Sequence, residues 1–268
     1  MLIANARMYS TPGPAAKQAW KDILAWTTGR AGVPMDIIDH DPPALLSTLW
    51  SRDDLGATMM CGLPMAMREP LPVVIAAPIP SPARYGGRAV YFSDILVPAD
   101  SPATTIEETF GGTVGYTLTD SMSGCVALRV LLEQYRTPDR PQLYSKVVGD
   151  LIHVRGMVEA VGTRRVDVGA ADSYLFDLIR KHDPAFAAQV KVIGTTSAAP
   201  MPPFVATGSL APGHLASLQE AFRAVAGAAE LAQAREHLLL TGFEIPDAAV
   251  YDVFHGIRRI AERHAGVW

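Results

Sequence analysis

A short polar turn, Ser121-Met122-Ser123-Gly124, carries the clearest chemical signal in this sequence. It follows an apolar, β-branched run at 113–118 and precedes a helix-like run that begins at Val126. The first N–H groups of a helix lack partners within the helix, and the helix dipole is positive at that end, so such a junction favours an anion. The serines could equally be ordinary helix N-caps, and the turn alone is compatible with either interpretation.

Other candidate residues follow predicted strands at their carboxyl ends, where open parallel sheets place their ligands. They are Tyr9 after the first strand, Cys61 and Gly62 after the strand at 57–61, Tyr91 and Ser93 in the run at 87–98, His153 after the strand at 144–148, and Asp172 after the strand at 166–170. Each has a structural alternative, since Asp172 could cap the helix that begins at Ser173 and His153 could simply begin a helix. Their joint placement at strand ends predicts a ligand site.

Signatures of catalysis and of metal binding are missing from the sequence. It contains no Gly-x-Ser-x-Gly elbow, no Walker-type glycine loop and no Gly-x-Gly-x-x-Gly turn. Its histidines and cysteines show neither His-x-x-x-His nor Cys-x-x-Cys spacing. We therefore expect no catalytic residue, no metal and no cofactor. The alternative is an enzyme or a cytoplasmic sensor on the same fold that uses His153 and Asp172 as an acid/base pair.

Composition and charge exclude several classes of function. Hydrophobic residues make up 49% and charged residues 19% of the chain, which favours a well-packed globular protein. The net charge is −4 and no Lys/Arg stripe is present, so we expect no nucleic-acid partner. The longest apolar stretches, such as 71–80, contain prolines and are too short to span a membrane. Residues 1–6 resemble a core strand and not an export signal, which indicates a cytoplasmic location if Met1 is the native start.

Strand-like and helix-like runs alternate up to about residue 206, which predicts an α/β protein with a largely parallel sheet covered by helices. The run at 87–98 is predicted as one strand, and everything after 211, including 229–240, as helix. The order of elements suggests two lobes, 1–92 with 203–268 and 93–202. Two connecting strands between lobes would make a hinge with a ligand cleft.

Ordered motifs in the chain resemble the substrate-binding proteins of phosphate, phosphite and phosphonate ABC transporters. The turn at 121–124 is similar to their Ser-x-Ser-Gly turn, and Met60-Cys61-Gly62-Leu63-Pro64 is similar to their Thr/Cys-Gly-Tyr/Leu-Pro turn. His153 and the segment 166–173 resemble their histidine and the Asp-Val-Ala-x-x-Asp-Ser segment that follows it. The segment 200–203 resembles their Pro-x-x-Pro segment. The similarity extends from the first strand to about residue 207.

The resemblance implies a type II periplasmic-binding-protein fold, with two α/β lobes, mixed and mostly parallel sheets, flanking helices and two crossover strands. It implies a solute-binding protein that closes on a small oxyanion, such as a phosphonate or phosphite, for ABC-type uptake. A small anionic solute and an ABC transporter permease are the implied partners. A periplasmic location follows from the resemblance as well, although no signal peptide is visible in the sequence.

The resemblance also implies roles for individual residues. Those it places around the ligand are Tyr9, Tyr91, Ser121, Met122, Ser123, His153 and Asp172. His153 would donate to the anion, and Asp172 would accept from a ligand hydroxyl, a protonated oxygen or an amine. Met122 stands where a hydroxyl residue is common in the family, so we expect one donor fewer in this turn.

Overall fold

The computed structural model describes residues 1–208 and 210–268. These residues form two compact units: unit 1 comprises Met1–Val90 and Pro200–Tyr251, and unit 2 comprises Tyr91–Ala199 and Asp252–Trp268. Each unit contains a mixed β-sheet with flanking helices, so the predicted α/β class is confirmed. No helix among the described residues is both long and apolar enough to cross a membrane.

The elements alternate along most of the chain. The strands are β1 (Ile3–Asn5), β2 (Asp36–Ile37), β3 (Leu55–Met59), β4 (Val73–Pro80), β5 (Val90–Tyr91), β6 (Ser93–Pro98), β7 (Thr113–Gly115), β8 (Lys146–Val148), β9 (Val168–Asp172), β10 (Val190–Thr195), β11 (Ala199–Pro200), β12 (Phe204–Ala206) and β13 (Leu240–Glu244). The helices are α1 (Pro14–Ala31), α2 (Leu46–Trp50), α3 (Gly62–Ala66), α4 (Ala127–Leu132), α5 (Val154–Gly162), α6 (Ser173–His182), α7 (Pro184–Ala187), α8 (Pro212–Ala224), α9 (Ala232–His237) and α10 (Val253–Ala261). A π-helical turn over Met122–Val126 leads into α4, and a 3-10 turn spans Arg7–Tyr9.

Unit 1 is built on a six-stranded sheet with the order β13-β4-β12-β3-β1-β2. Strand β1 pairs in parallel with β2 and β3, whereas β12 and β13 run antiparallel to their neighbours. Helix α1 begins with Pro14 and ends at Gly32, whose φ of 65° is the left-handed conformation that glycine adopts at helix ends. Its Trp20 packs edge-on against Phe204 and Phe243 and is almost fully buried, which holds α1 on the sheet.

Unit 2 is built on a five-stranded sheet with the order β10-β6-β9-β7-β8. Strands β7, β8 and β9 are mutually parallel, while β6 runs antiparallel to β9 and β10 runs antiparallel to β6. β-branched residues such as Val114 and Val168 fill the interior of this sheet and pack against Leu128 of α4. The three parallel strands therefore end at one edge of the sheet, and a helical segment follows each of them.

The segment 252–268 belongs to unit 2, whereas from the sequence all of 203–268 is expected in the first lobe. Trp268 is the physical reason. Its carbonyl oxygen accepts from the N–H groups of Leu143 (2.8 Å) and Tyr144 (3.0 Å), and its ring stacks on Tyr116 with centroids 5.5 Å apart. The guanidinium of Arg129 lies 4.1 Å from the centre of the same ring. These contacts join residues far apart in the sequence, so no local sequence pattern predicts them.

Two predicted elements differ from the structure. The run at 87–98 forms two strands, β5 and β6, and β5 pairs with β11 in a separate two-stranded sheet. The predicted helix at 229–240 ends earlier: α9 stops at His237, Leu239 has a φ of 50°, and the chain then enters β13. Strand β13 pairs antiparallel with β4, so tertiary pairing overrides the helical tendency of this region.

Candidate anion-binding site

Three helical segments begin at the same edge of the unit 2 sheet, because the parallel strands β7, β8 and β9 all end there. The residue that caps each segment is one that the sequence singled out: Ser121 before the π-helical turn, His153 before α5 and Asp172 before α6. We call Ser121, Ser123, His153 and Asp172 the cap cluster. The positive ends of these segments favour a negative charge at this edge of the sheet.

The turn at 121–124 is stabilised by hydrogen bonds to Ser121. The Ser121 side-chain oxygen accepts from the Gly124 N–H at 3.1 Å, and the Ser121 carbonyl accepts from the N–H groups of Cys125 (3.1 Å) and Val126 (3.0 Å). The N–H groups of Met122 and Ser123 lie in the first turn, for which a helix supplies no acceptor. The Met122 side chain is buried, so it adds an apolar surface and no donor.

Glycine is required at position 124. A Cβ atom there would lie 1.9 Å from Oγ1 and 2.9 Å from Cβ of Thr117. The Thr117 N–H also donates to the Gly124 carbonyl at 3.1 Å, which ties the turn to the end of the β7 segment. Thr117 Oγ1 is buried and has no hydrogen-bond partner among the described residues. The sequence gives no signal for Thr117, because a threonine at the end of an apolar run is typical of an ordinary strand.

Asp172 connects two sides of the cap cluster. Its Oδ1 accepts from the Leu175 N–H at 2.9 Å, and its Oδ2 lies 3.5 Å from Ser123 Oγ. Asp172 is only 5% exposed. Ser93 stands opposite it in the register of β6 and β9, and the buried Ser93 Oγ has no hydrogen-bond partner among the residues described. The structure thus brings the predicted residues Ser93, Ser123 and Asp172 together.

His153 is oriented by the start of α5. Its Nδ1 accepts from the Gly156 N–H at 2.9 Å, so the proton of the neutral ring is on Nε2, which is a donor. The loop before it is strained, since Asp150 and the β-branched Ile152 have φ values of 56° and 64°. The Ile152 N–H donates to the Thr117 carbonyl at 3.2 Å, and this bond fixes the histidine loop beside the serine turn.

The donors of the cap cluster are neutral: hydroxyl groups, main-chain N–H groups and an imidazole N–H. Cys125 lies within the same turn, but burial raises the pKa of its thiol to about 11, so it is not a thiolate at neutral pH. An arrangement of dipoles around one carboxylate can bind an oxyanion that still carries a proton. In the part of the chain that the structure describes, no group of three or more His, Cys, Asp or Glu side chains could hold a metal ion.

The remaining predicted residues are Tyr9, Cys61, Gly62 and Tyr91. Tyr9 and the Cys61-Gly62 pair stand at the carboxyl ends of β1 and β3 in unit 1. All three are buried, the Tyr9 carbonyl accepts from Trp20 Nε1 at 3.1 Å, and Cys61 precedes the first residue of α3. Tyr91 is the first residue of unit 2 and is 1% exposed.

Three further residues near these groups are not predicted from the sequence. Thr196 is hydrogen-bonded to Ser93, since its Oγ1 accepts from the Ser93 N–H at 2.9 Å and its N–H donates to the Ser93 carbonyl at 3.0 Å. Ser173 Oγ accepts from the Phe92 N–H at 3.1 Å. Arg7, at the end of β1, is 7% exposed. No local sequence signal distinguishes it from a solvated arginine.

The family model described as "ABC transporter, phosphonate, periplasmic substrate-binding protein" matches residues 64–251 of this chain. No curated protein matches its sequence.

Solved structures share the fold. A binding protein component of an ABC phosphonate transporter from Pseudomonas aeruginosa is 16% identical, with a TM-score of 0.79 over 98% of this chain and 87% of that chain. PhnD1 from Prochlorococcus marinus, in complex with methylphosphonate, is 14% identical, with a TM-score of 0.77 over 96% and 97% of the two chains. The arginine-, lysine-, histidine-binding protein ArtJ from Geobacillus stearothermophilus is 13% identical, with a TM-score of 0.55 over 94% and 99%. The predicted periplasmic-binding-protein fold is confirmed, and ArtJ illustrates that this fold does not by itself fix the charge of the ligand.

Proposed function

We propose that this chain, which belongs to the family of periplasmic substrate-binding proteins of ABC phosphonate transporters, binds a small phosphonate-like oxyanion at the cap cluster of unit 2. The family inferred from the motifs at 60–64 and 121–124 is confirmed by the match over residues 64–251. The class of ligand is therefore a small anionic solute, and the class of partner is an ABC permease. The contacts with the ligand are our proposal.

One observation carries the choice of site: three segments that begin at one sheet edge are capped by Ser121, His153 and Asp172. The ligand oxygens would accept from the N–H groups of the first turn after Ser121, from the serine hydroxyls and from His153 Nε2. All these donors are neutral and directional, so they hold an oxyanion by geometry and do not require a buried cation.

Asp172 would select the protonation state of the ligand. Asp172 is 5% exposed, its Oδ1 accepts from the Leu175 N–H, and its Oδ2 lies 3.5 Å from Ser123 Oγ. At that position Oδ2 would also accept from a ligand O–H. A fully ionised group such as sulfate or a sulfonate has no proton to donate and would be repelled by this carboxylate. We therefore expect phosphonates and phosphite to bind and sulfonates to be rejected.

Titration calorimetry with methylphosphonate, phosphite, phosphate and methanesulfonate tests this assignment. We expect saturable binding of at least one phosphorus oxyanion, with methanesulfonate bound at least about 100-fold more weakly. Equal affinity for methylphosphonate and methanesulfonate would contradict the role of Asp172. Binding of a cationic amino acid alone would contradict the whole assignment.

We propose binding without turnover. The enzyme alternative requires His153 and Asp172 to act as an acid/base pair, whereas both side chains accept from helix N–H groups, those of Gly156 and Leu175. A phosphorus NMR spectrum of methylphosphonate incubated with the protein should show the ligand unchanged. A product that forms with the natural sequence and disappears in His153→Asn would support the enzyme alternative instead.

The family is periplasmic, and we propose the same location for this chain. Fractionation of cells that express the gene from its natural upstream region should place the protein in the periplasmic fraction. Recovery in the cytoplasmic fraction alone would favour the sensor alternative.

A further inference from the structure

Arg7 is a buried cation that the proposed function does not use. It follows β1 in unit 1, and only 7% of the residue is exposed. Its main-chain N–H donates to Asn5 Oδ1 at 2.8 Å, but its Nε is buried and has no hydrogen-bond partner among the described residues. A buried guanidinium nitrogen without an acceptor is costly, and an arginine cannot avoid that cost by losing its proton.

Two carboxylates near Arg7, those of Asp39 and Asp41, already pair with other cations. Lys17 Nζ lies 2.7 Å from Asp41 Oδ2 and 3.1 Å from Asp39 Oδ1, and Lys21 Nζ lies 2.9 Å from Asp39 Oδ1. Three basic side chains thus share two carboxylates. Burial lowers the pKa of the Arg7 guanidinium, and the charge of Asp41 opposes that shift without reversing it. A surplus of positive charge remains beside Arg7.

A small cavity adjoins this surplus. Its volume is about 20 Å³, and we call it the Arg7 pocket; its polar lining includes Asn5, Arg7, Ser10, Lys17, Lys21 and His40, beside Asp39 and Asp41. Trp20, Leu24 and Ile37 supply its apolar wall. Such a volume holds about one ion or molecule the size of water, so a whole phosphonate does not fit.

We propose that the Arg7 pocket is an anion site of unit 1, in addition to the cap cluster of unit 2, and that it takes one monatomic inorganic anion such as chloride. The anion would neutralise the arginine and accept from its guanidinium N–H groups, with Lys17 and Lys21 contributing charge from the rim. It would thereby stabilise the end of β1 and the turn that carries Tyr9.

Thermal unfolding at constant ionic strength tests the proposal, with sodium gluconate replaced stepwise by sodium chloride. We expect a saturable rise of about 2–4 °C in the melting temperature. Arg7→Met should abolish the rise, and Arg223→Met, which removes an exposed cation of α8, should retain it. A rise that persists in Arg7→Met, or one that phosphate produces and chloride does not, would overturn the proposal.

A crystal grown or soaked with bromide gives a second measurement, which does not depend on whether Arg7→Met folds. We expect an anomalous peak within hydrogen-bond distance of the Arg7 guanidinium, and a water molecule at that position would overturn the site. Failure of this proposal is distinguishable from failure of the proposed function, because Ser123→Ala should weaken methylphosphonate binding and leave the chloride effect unchanged.

Discussion

The cap cluster of unit 2 and the Arg7 pocket of unit 1 both stand where parallel strands end, yet they would hold an anion by opposite means. The cap cluster offers hydroxyl and N–H dipoles at three helix starts around the single carboxylate of Asp172. The Arg7 pocket offers a full positive charge, buried and surrounded by lysines that are already paired. One site depends on direction and the other on charge.

This difference predicts that the cap cluster selects the ligand, whereas an anion in the Arg7 pocket stabilises the fold. Dipoles act only along their hydrogen bonds, so a site made of them distinguishes ligands by shape and by the position of a proton. A buried guanidinium attracts any small anion, since its energy depends mainly on charge and desolvation. We therefore expect variants of the cap cluster to change which ligand binds, and variants of the Arg7 pocket to change how anions affect stability.

Gly124→Ala should have the largest effect. The new Cβ would lie within 2.9 Å of three side-chain atoms of Thr117, so the turn must shift and the N–H groups after Ser121 lose their direction. We expect the free energy of unfolding to fall by about 2–3 kcal/mol and methylphosphonate binding to be lost, as measured by urea unfolding and calorimetry.

Two controls belong with this variant. Gly213→Ala places the same methyl group where nothing lies within 4 Å, and it should leave binding unchanged. The double variant Gly124→Ala/Thr117→Ala removes two of the three clashing atoms and should recover part of the stability. A Gly124→Ala protein that binds normally would show that the main chain of this turn does not contact the ligand.

Asp172→Asn should have the next largest effect. The amide oxygen of asparagine can still accept from the Leu175 N–H, so the cap of α6 is preserved while the second oxygen becomes a donor. We expect the affinity for methylphosphonate to fall about 100-fold and its advantage over methanesulfonate to shrink or invert. Asp183→Asn is the matched control, because Asp183 also caps a helix and its carboxylate pairs with Arg155. If Asp172→Asn still prefers methylphosphonate to methanesulfonate by the same factor, Asp172 does not accept a hydrogen bond from a protonated ligand oxygen.

His153→Asn should have a smaller effect. Asparagine can accept from the Gly156 N–H in place of Nδ1, so the start of α5 keeps its cap, but the Nε2 donor is lost. We expect about 10-fold weaker methylphosphonate binding with little change in the melting temperature. His182→Asn, at the last residue of α6, is the control for removal of a histidine. A stable His153→Asn protein with full affinity would exclude His153 as a ligand donor.

The cap cluster was accessible from the sequence because caps are local. A serine, histidine or aspartate directly between a strand-like and a helix-like run is a pattern of adjacent residues, and Ser121, His153 and Asp172 all cap the helical segments that follow them. The alternation of runs in turn predicted the parallel strands that bring these caps to one edge. The α/β fold followed from the same alternation.

The rest depends on contacts between distant residues. The pairing of Ser93 with Asp172 is set by the antiparallel register of β6 and β9, which no local pattern contains. Strand β13 forms because it pairs antiparallel with β4. The placement of Trp268 in unit 2 depends on its contacts with Tyr116 and Arg129. The burial of Arg7 is likewise a tertiary property, so its sequence position gave no reason to prefer a pocket to a solvated side chain.

Asp41→Asn should have the smallest effect. It tests whether the Arg7 pocket binds an anion by charge and the cap cluster by directional hydrogen bonds. Burial lowers the pKa of Arg7 and the charge of Asp41 partly opposes that shift, so the field of Asp41 reaches the guanidinium, but the Asp41 side chain is 57% exposed and therefore well screened. We expect chloride to bind about 2–3-fold more tightly after the change, seen as a lower chloride midpoint for the rise in melting temperature. Asp22→Asn, an exposed carboxylate on α1 bonded to Gln18, should leave that midpoint unchanged.

A chloride midpoint that rises in Asp41→Asn would mean that the carboxylate holds Lys17 in place and does not compete with the anion. The same variant should leave methylphosphonate affinity unchanged, because the proposed donors of the cap cluster are neutral groups of unit 2 and do not include Asp41. A parallel shift in both affinities would show that the two sites are coupled, and the division between a directional site and a charged one would then fail.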